Sequence, residues 1–235
     1  MTALNILSGG AAQGLVASLA PQFKAQSGLD IAGEFGAVGA MADKLRAGTK
    51  ADIIILTAAL VARLAKENCV VPASITDIGM VETAIAVRAG DPLVEIEDAA
   101  SLRAALLAAD AIFVPDTKTS TAGIHVARML QQLGIADEVA TRLKIFPNGA
   151  TAMRHLAESG AARPIGCTQS TEIISTKGVT LSGPLPPGCD LATMYTAAVT
   201  TRAAAAEQAQ RLINLLTAAD ARALRTAAGF LDARK

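Results

Sequence analysis

The chain has 235 residues, enough to bury a good core as one large domain or as two smaller lobes. It is 51% hydrophobic, yet no apolar run approaches the ~20 residues that a membrane span needs. Formal net charge is zero without a Lys/Arg block, and aromatics are 3%. This argues against nucleic acid, an anionic membrane surface or an aromatic stacking platform as the main partner.

Leu4, Ile6 and Leu7 read as a short buried strand, broken by Ser8-Gly9-Gly10. A helix pattern follows at once, with Ala12, Leu15, Val16, Leu19 and Phe23 on one face and Gly28 as the C′ residue. Residues 31–35 read as a second strand. Gly36-Ala37-Val38-Gly39 then leads into a helix with Val38, Met41, Ala42 and Leu45 inward, closed by Gly48. The run from Asp52 to Leu56, apolar after its first residue, is what a parallel strand covered on both faces requires. A helix over 58–67, with Leu60, Val61 and Leu64 inward, completes a βαβαβα rhythm, and hence a doubly wound sheet.

A strand over 81–87 ends at Gly90-Asp91-Pro92, and the rhythm restarts. The pattern predicts a helix over 101–109, a strand over 112–114, a loop over 119–123 and a helix ending near Gly134. A strand over 143–146 follows, then a helix opened by Asn148-Gly149 and closed by Gly160. Next come a strand over 164–168, a short helix over 170–175, a strand over 179–185 and a last strand over 193–200. Two Ala-rich helices finish the chain, one with Leu212, Ile213 and Leu216 inward. The expected fold class is α/β: two doubly wound lobes joined by two crossover strands, with a cleft between them. The first lobe is expected over 1–80, completed by 195–235, and the second over 81–194.

Cys69, Cys167 and Cys189 are an odd, scattered set without CxxC spacing and read as thiols, Cys167 as a small core residue. With two histidines, no ligand spacing points to a metal, and neither metal nor cofactor is expected. The first residues carry no basic n-region, apolar h-region or cleavage site, so the expected location is cytoplasmic, or periplasmic if a leader has been trimmed.

Strand–loop–helix corners aim unpaired N–H groups and a helix dipole at one spot, so they hold anions without a cationic side chain. Four such corners stand out: Ser8-Gly9-Gly10 with Ala11, Ala37-Val38-Gly39, Thr119-Ser120-Thr121, and Gln169-Ser170-Thr171. The alternatives are a plain tight turn at Ser8-Gly9-Gly10 and simple helix capping at 119–121. GGxxxG is not the GxGxxG of a dinucleotide site, although Glu34 stands at a suggestive distance. Lys118 either attracts a carboxylate or is merely solvated. His125 either faces the ligand as donor or acid/base, with Asp116 as the other candidate, or covers the lobe surface. His155 reads as structural, and Glu172 as a helix-start charge.

The chain resembles the type II periplasmic solute-binding proteins, in their molybdate-binding-protein-like branch. The resemblance rests on SGGAAQGL, FGAVGAMADKLRAGTKADIIIL, VPDTKTSTAGIHVARMLQQLG and GCTQSTEI, in an order covering nearly the whole chain. It implies two lobes closing on a ligand. Molybdate binders of this branch use serines in the first two loops and a late tyrosine; here glycine, Ala37-Val38-Gly39 and Gln169 stand at those places. The departure disfavours molybdate or tungstate and points to an organic carboxylate. The branch is also similar to aconitate isomerase. Two functions are therefore carried forward. One is binding of a small di- or tricarboxylate, with a transporter permease as partner if the chain is exported. The other is isomerisation of an unsaturated acid, with His125 or Asp116 moving the proton. A regulator's effector domain would need a helix-turn-helix that this sequence lacks.

Overall fold

In the computed structural model, which describes residues 3–232, the chain runs β1 (Ala3–Gly9), α1 (Gln13–Ser27), β2 (Asp30–Gly36), α2 (Val38–Arg46), β3 (Ile53–Thr57), α3 (Ala58–Lys66) and β4 (Thr76–Arg88). It continues through α4 (Ala99–Ala108), β5 (Ala111–Pro115), α5 (Thr121–Gln132), α6 (Ala136–Val139), β6 (Leu143–Phe146), α7 (Gly149–Ala157) and β7 (Pro164–Gln169). It ends with α8 (Ser170–Ile174), β8 (Val179–Pro184), β9 (Ala192–Val199), α9 (Ala206–Thr217) and α10 (Arg222–Ala227). A 3-10 turn, Gly10–Ala12, joins β1 to α1. Met1 and Thr2, read as leading straight into the first strand, and Ala233 to Lys235, assigned to the first lobe, lie outside the described residues.

The chain forms two compact α/β units. The first ends at Val81 and resumes at Thr193; the second is Glu82–Ala192. β4 and β9 are the two crossover strands through which the chain leaves the first unit and returns to it.

In the first unit the strand order is β2-β1-β3-β9, with β1 parallel to β2 and β3, and β9 antiparallel to β3. Ile53, Ile54, Ile55 and Leu56 are all buried, as the unbroken apolar run requires. One face of α1 (Leu15, Val16, Leu19, Phe23) joins that core with Leu212, Ile213 and Leu216 of α9. Truncating a fully buried residue such as Phe23 to alanine costs about 3–5 kcal/mol. Asp52, buried just before β3, ties this core together. One carboxylate oxygen accepts from Asn5 N at 2.9 Å, the other from Ala204 N at 2.8 Å and Ala205 N at 2.9 Å, so it anchors the segment that leads into α9.

In the second unit β4 lies antiparallel to β7 and β8, and β5 lies parallel to β7 and β6. Strand alternation sorts its core into two faces. Ile85, Ile112, Val114, Ile165 and Cys167 meet Leu102 and Leu106 of α4 and Val126, Met129 and Leu130 of α5. Ala84, Ala86, Ala111 and Phe113 meet Ala152, Met153 and Leu156 of α7 on the other.

Besides the short α6, which the sequence reading did not contain, two elements differ from it. β4 begins at Thr76 rather than at 81. Its polar first half is held by long-range partners: Met80 N donates to Leu231 O at 2.8 Å, Leu231 N returns a bond of 2.8 Å, and Thr196 Oγ1 donates to Asp77 Oδ1 at 2.6 Å. The stretch 119–123 is not all loop, because α5 already begins at Thr121.

Candidate functional site

Because β1 is parallel to both neighbours, the C-terminal ends of β1, β2 and β3 share one edge of the first unit. Gly9 pairs with Gly36 in register, which brings Ser8, Gly9, Gly10 and Ala11 beside Ala37, Val38 and Gly39. No side chain caps the 3-10 turn, α1 or α2, and none of the three has an acid in its first turn. The edge is nevertheless closely filled. A β-carbon at Gly9 would stand 2.7 Å from Val38 Cγ1 and 3.0 Å from the Tyr195 ring, so glycine is required here by protein packing. The Ser8 hydroxyl is buried and donates to Gly9 O at 2.8 Å. Thr57, whose hydroxyl accepts from Leu60 N at the start of α3, and Tyr195 are register partners at the same edge. Neither stood out in the sequence, although Tyr195 is the chain's single tyrosine.

The second unit offers a different edge. β5 and β7 are parallel, so the segment after Pro115 and the β7 end at Gln169 lie at the same end of the sheet. A β-carbon at Gly123 would collide with the carbonyls of Pro115 and Asp116, so only glycine lets α5 seat its first turn against the end of β5. Ser120, at the N-cap of α5, is buried, but its side chain caps no amide. Thr121 is the first helical residue; Lys118 and Thr119 are exposed. Gln169, Ser170 and Thr171 are buried, with Gln169 only 3% and Thr171 only 2% exposed. Among the described residues Gln169 Nε2, Gln169 Oε1, Thr171 Oγ1 and Thr83 Oγ1 make no hydrogen bond. Thr83, 1% exposed, pairs with Gln169 in register. Alternation places the pair on the face of Ile85 and Cys167, the face that α5 covers. Thr83 is the residue that sequence reasoning missed, since only the antiparallel register shows what it lies beside.

The two acid/base candidates are otherwise engaged. Asp116 Oδ1 accepts from Lys118 N at 2.8 Å, Thr119 N at 2.7 Å and Thr119 Oγ1 at 2.9 Å. The Lys118 N–H foremost, then the Thr119 hydroxyl, hold its carboxyl below the usual aspartate range, which makes it a poor base. His125 Nε2–H donates to Cys189 O at 2.7 Å, and Gln132 of the same helix donates to Gly188 O at 3.1 Å. Together they pin the loop that precedes β9. His155 stacks on Phe146 with ring centroids 4.4 Å apart, a packing role. Cys167 is buried, and desolvation pushes its thiol up to about 12, which leaves it inert.

Glu172 lies in the first turn of its own helix, as the sequence reading has it, and also reaches the start of α7. It is buried, accepts from Thr168 Oγ1 at 2.6 Å, and takes backbone N–H groups of Ala150, Gln169 and Gly149. Burial pushes its carboxyl above the usual glutamate range against those bonds. It therefore fills the N-terminus of α7 from inside the protein, and a β-carbon at Gly149 would collide with Glu172 and Thr168. Among the described residues no cluster of three or more His, Cys, Asp or Glu could hold a metal ion.

The comparison with known proteins agrees with this architecture. Residues 4–231 match the model of the bacterial extracellular solute-binding proteins. The chain belongs to that family. Like an extracellular solute-binding protein, it has two α/β units linked by crossover strands, and no helix among the described residues is long and apolar enough to cross a membrane. It is similar to an aconitate isomerase from Pseudomonas sp., 25% identical over 229 residues that cover 94% of this chain and 84% of the relative. Two solved structures share the fold. The periplasmic molybdate-binding protein of Azotobacter vinelandii superposes with a TM-score of 0.82 at 18% identity, covering 98% of this chain and 100% of that one. The sulfate-binding protein SubI of Mycobacterium tuberculosis H37Rv gives 0.76 at 20% identity, covering 99% and 88%.

Proposed function

We propose that this solute-binding protein takes a small organic di- or tricarboxylate, held in the second unit by the first-turn amides of α5 and by Gln169, Thr171 and Thr83. The observation that carries the reading is the register pair Gln169 and Thr83, with Thr171 two residues further on, whose buried polar atoms have no partner among the described residues. Each such group costs about 1–3 kcal/mol when nothing pairs with it. A helix dipole contributes only about 0.3–1 kcal/mol. Direct hydrogen bonds from the cluster therefore outweigh the helix end, and a ligand that supplies them recovers the cost.

The first unit argues for a carboxylate over a tetrahedral oxyanion. Ser8 spends its proton on Gly9 O, and Ala37 and Val38 have no hydroxyl, so the first two loops offer a tetrahedral dianion no uncommitted hydroxyl. The family's extracellular role points to a transporter permease as the partner that receives the ligand. A thermal-shift panel of di- and tricarboxylates, sulfate and molybdate tests the reading. Carboxylates raise the Tm and the two oxyanions do not; saturable micromolar molybdate binding reverses the ligand choice.

A second reading, an isomerase of an unsaturated carboxylic acid, rests on the similarity to aconitate isomerase across 94% of the chain. Proton NMR of cis- and trans-aconitate with the protein in D₂O tests it. Interconversion or deuterium uptake supports turnover, and the absence of both for either acid removes this reading for aconitate. If turnover is seen, His125→Asn separates the roles of the histidine: its removal of turnover with binding retained makes His125 the proton carrier, and retained turnover leaves it as the loop anchor described above.

A further inference from the structure

The unpartnered groups of the second unit have a donor–acceptor composition that selects among carboxylates. Gln169 carries two N–H donors on Nε2 and an acceptor, Oε1, and neither atom has a partner among the described residues. Exchanging the two ends of the amide changes nothing, because both are unpartnered. Thr83 and Thr171 each add one hydroxyl, able to donate and to accept. A fully ionised carboxylate can only accept. It satisfies Nε2 and the hydroxyl protons but leaves Oε1 buried and directed at no proton, an arrangement costly in a low-dielectric site. With the threonine protons committed to the carboxylate, the partner still missing at Oε1 is a proton donor on the ligand itself. An ammonium group would bring a positive charge needing an acidic side chain; Asp116 and Glu172 are already held by Lys118, Thr119 and Thr168, and strand alternation puts Glu82 on the opposite face of β4, with Ala84 and Ala86. A neutral hydroxyl meets the requirement.

We infer that the preferred ligand class is the hydroxycarboxylic acids, with the carboxylate taken by Nε2 and the hydroxyl protons and the ligand's own hydroxyl donating to Gln169 Oε1. This rests on the carboxylate-binding reading above and narrows it. A site whose buried polar groups match a ligand hydroxyl rejects the analogue that lacks it far more strongly than an apolar pocket rejects an extra one, because rejection leaves protein groups unpaired.

The test is isothermal titration with three pairs that differ by one hydroxyl: lactate and propionate, malate and succinate, citrate and tricarballylate. Both enantiomers of lactate and malate are run, with sulfate and molybdate as oxyanion controls. In wild type, the hydroxy acid of whichever pair binds is at least tenfold tighter than its partner, about 1.4 kcal/mol. In Gln169→Met that ratio falls within threefold. Thr83→Val, which keeps shape and removes one hydroxyl, weakens both members of the pair and keeps their order, so the inference stays testable if the Gln169 variant fails to fold. Equal affinity for both members in wild type overturns the hydroxyl inference while leaving the carboxylate reading intact. A tenfold ratio that persists in Gln169→Met overturns the role of Gln169. Saturable binding of an oxyanion control with none of the six acids, or no binding of any acid, overturns the carboxylate reading and the inference with it.

Discussion

The strand-end edges of the two units have the same architecture and opposite chemistry. In the first, the hydroxyls at the β1 and β3 ends are paired within the protein, Ser8 to Gly9 and Thr57 to Leu60, and behind them Asp52 to Asn5, Ala204 and Ala205, while Thr193 Oγ1 and Gln208 Oε1 have no partner among the described residues. In the second, Thr83, Gln169 and Thr171 are as deeply buried and unpaired. Burial alone thus does not distinguish a structural polar residue from a binding one. An unpaired group that also lies at a strand end beside a helix start is the stronger candidate.

That contrast breaks most visibly at Asp52. Asp52→Ala leaves the amides of Asn5, Ala204 and Ala205 without their acceptor, and bonds to a charged group are worth about 1.5–3 kcal/mol each. The expected loss is roughly 3 kcal/mol or more in urea unfolding, with ligand affinity of the remaining folded protein unchanged. Gln169→Met has the opposite signature, since it removes an unpaired buried amide. Ligand-free stability holds or rises by up to about 1 kcal/mol, while carboxylate affinity falls at least tenfold. If the variant lost stability and kept its affinity, the assignment of the second edge would be reversed. Ser8→Ala sharpens the contrast from the other side. It costs about 1 kcal/mol of stability for the lost bond to Gly9 and shifts ligand affinity less than threefold.

A smaller effect concerns pH. Glu172 has its carboxyl raised by burial, so in the folded protein it favours the protonated form more than in the unfolded chain. Its stabilising contribution is complete below the ordinary glutamate value of 4.5 and is lost as pH rises through the raised folded value. The difference in Tm between Glu172→Gln and wild type should therefore move in favour of the variant between pH 4 and pH 8. A difference independent of pH would show that Glu172 titrates alike in both states.

Most of the fold was legible in the sequence because its signals are local. The β3 run of isoleucines, the 3.6-residue faces of α1 and α9, and the Asn148-Gly149 helix start each lie within a dozen residues. The first half of β4 was not, because Thr76 to Met80 pairs with Leu231 and Thr196, far along the chain. The four residues of α6 are too few for a periodic signal. At the candidate site, Gln169 was readable as a polar residue ending a strand. Thr83 was hidden, since only the β4–β7 register sets it opposite Gln169. Glu172 was readable as a charge at the start of its own helix, but its further partners at Gly149 and Ala150 belong to α7 and were hidden for the same reason.

The most direct test of the central claim is a side-by-side calorimetric titration of wild type and Gln169→Met with citrate and with molybdate. Of the hydroxy acids, citrate is the expected ligand here: it binds wild type saturably and the variant at least tenfold more weakly, and molybdate binds neither. Saturable molybdate binding that survives in Gln169→Met, with no heat from citrate, would contradict the claim.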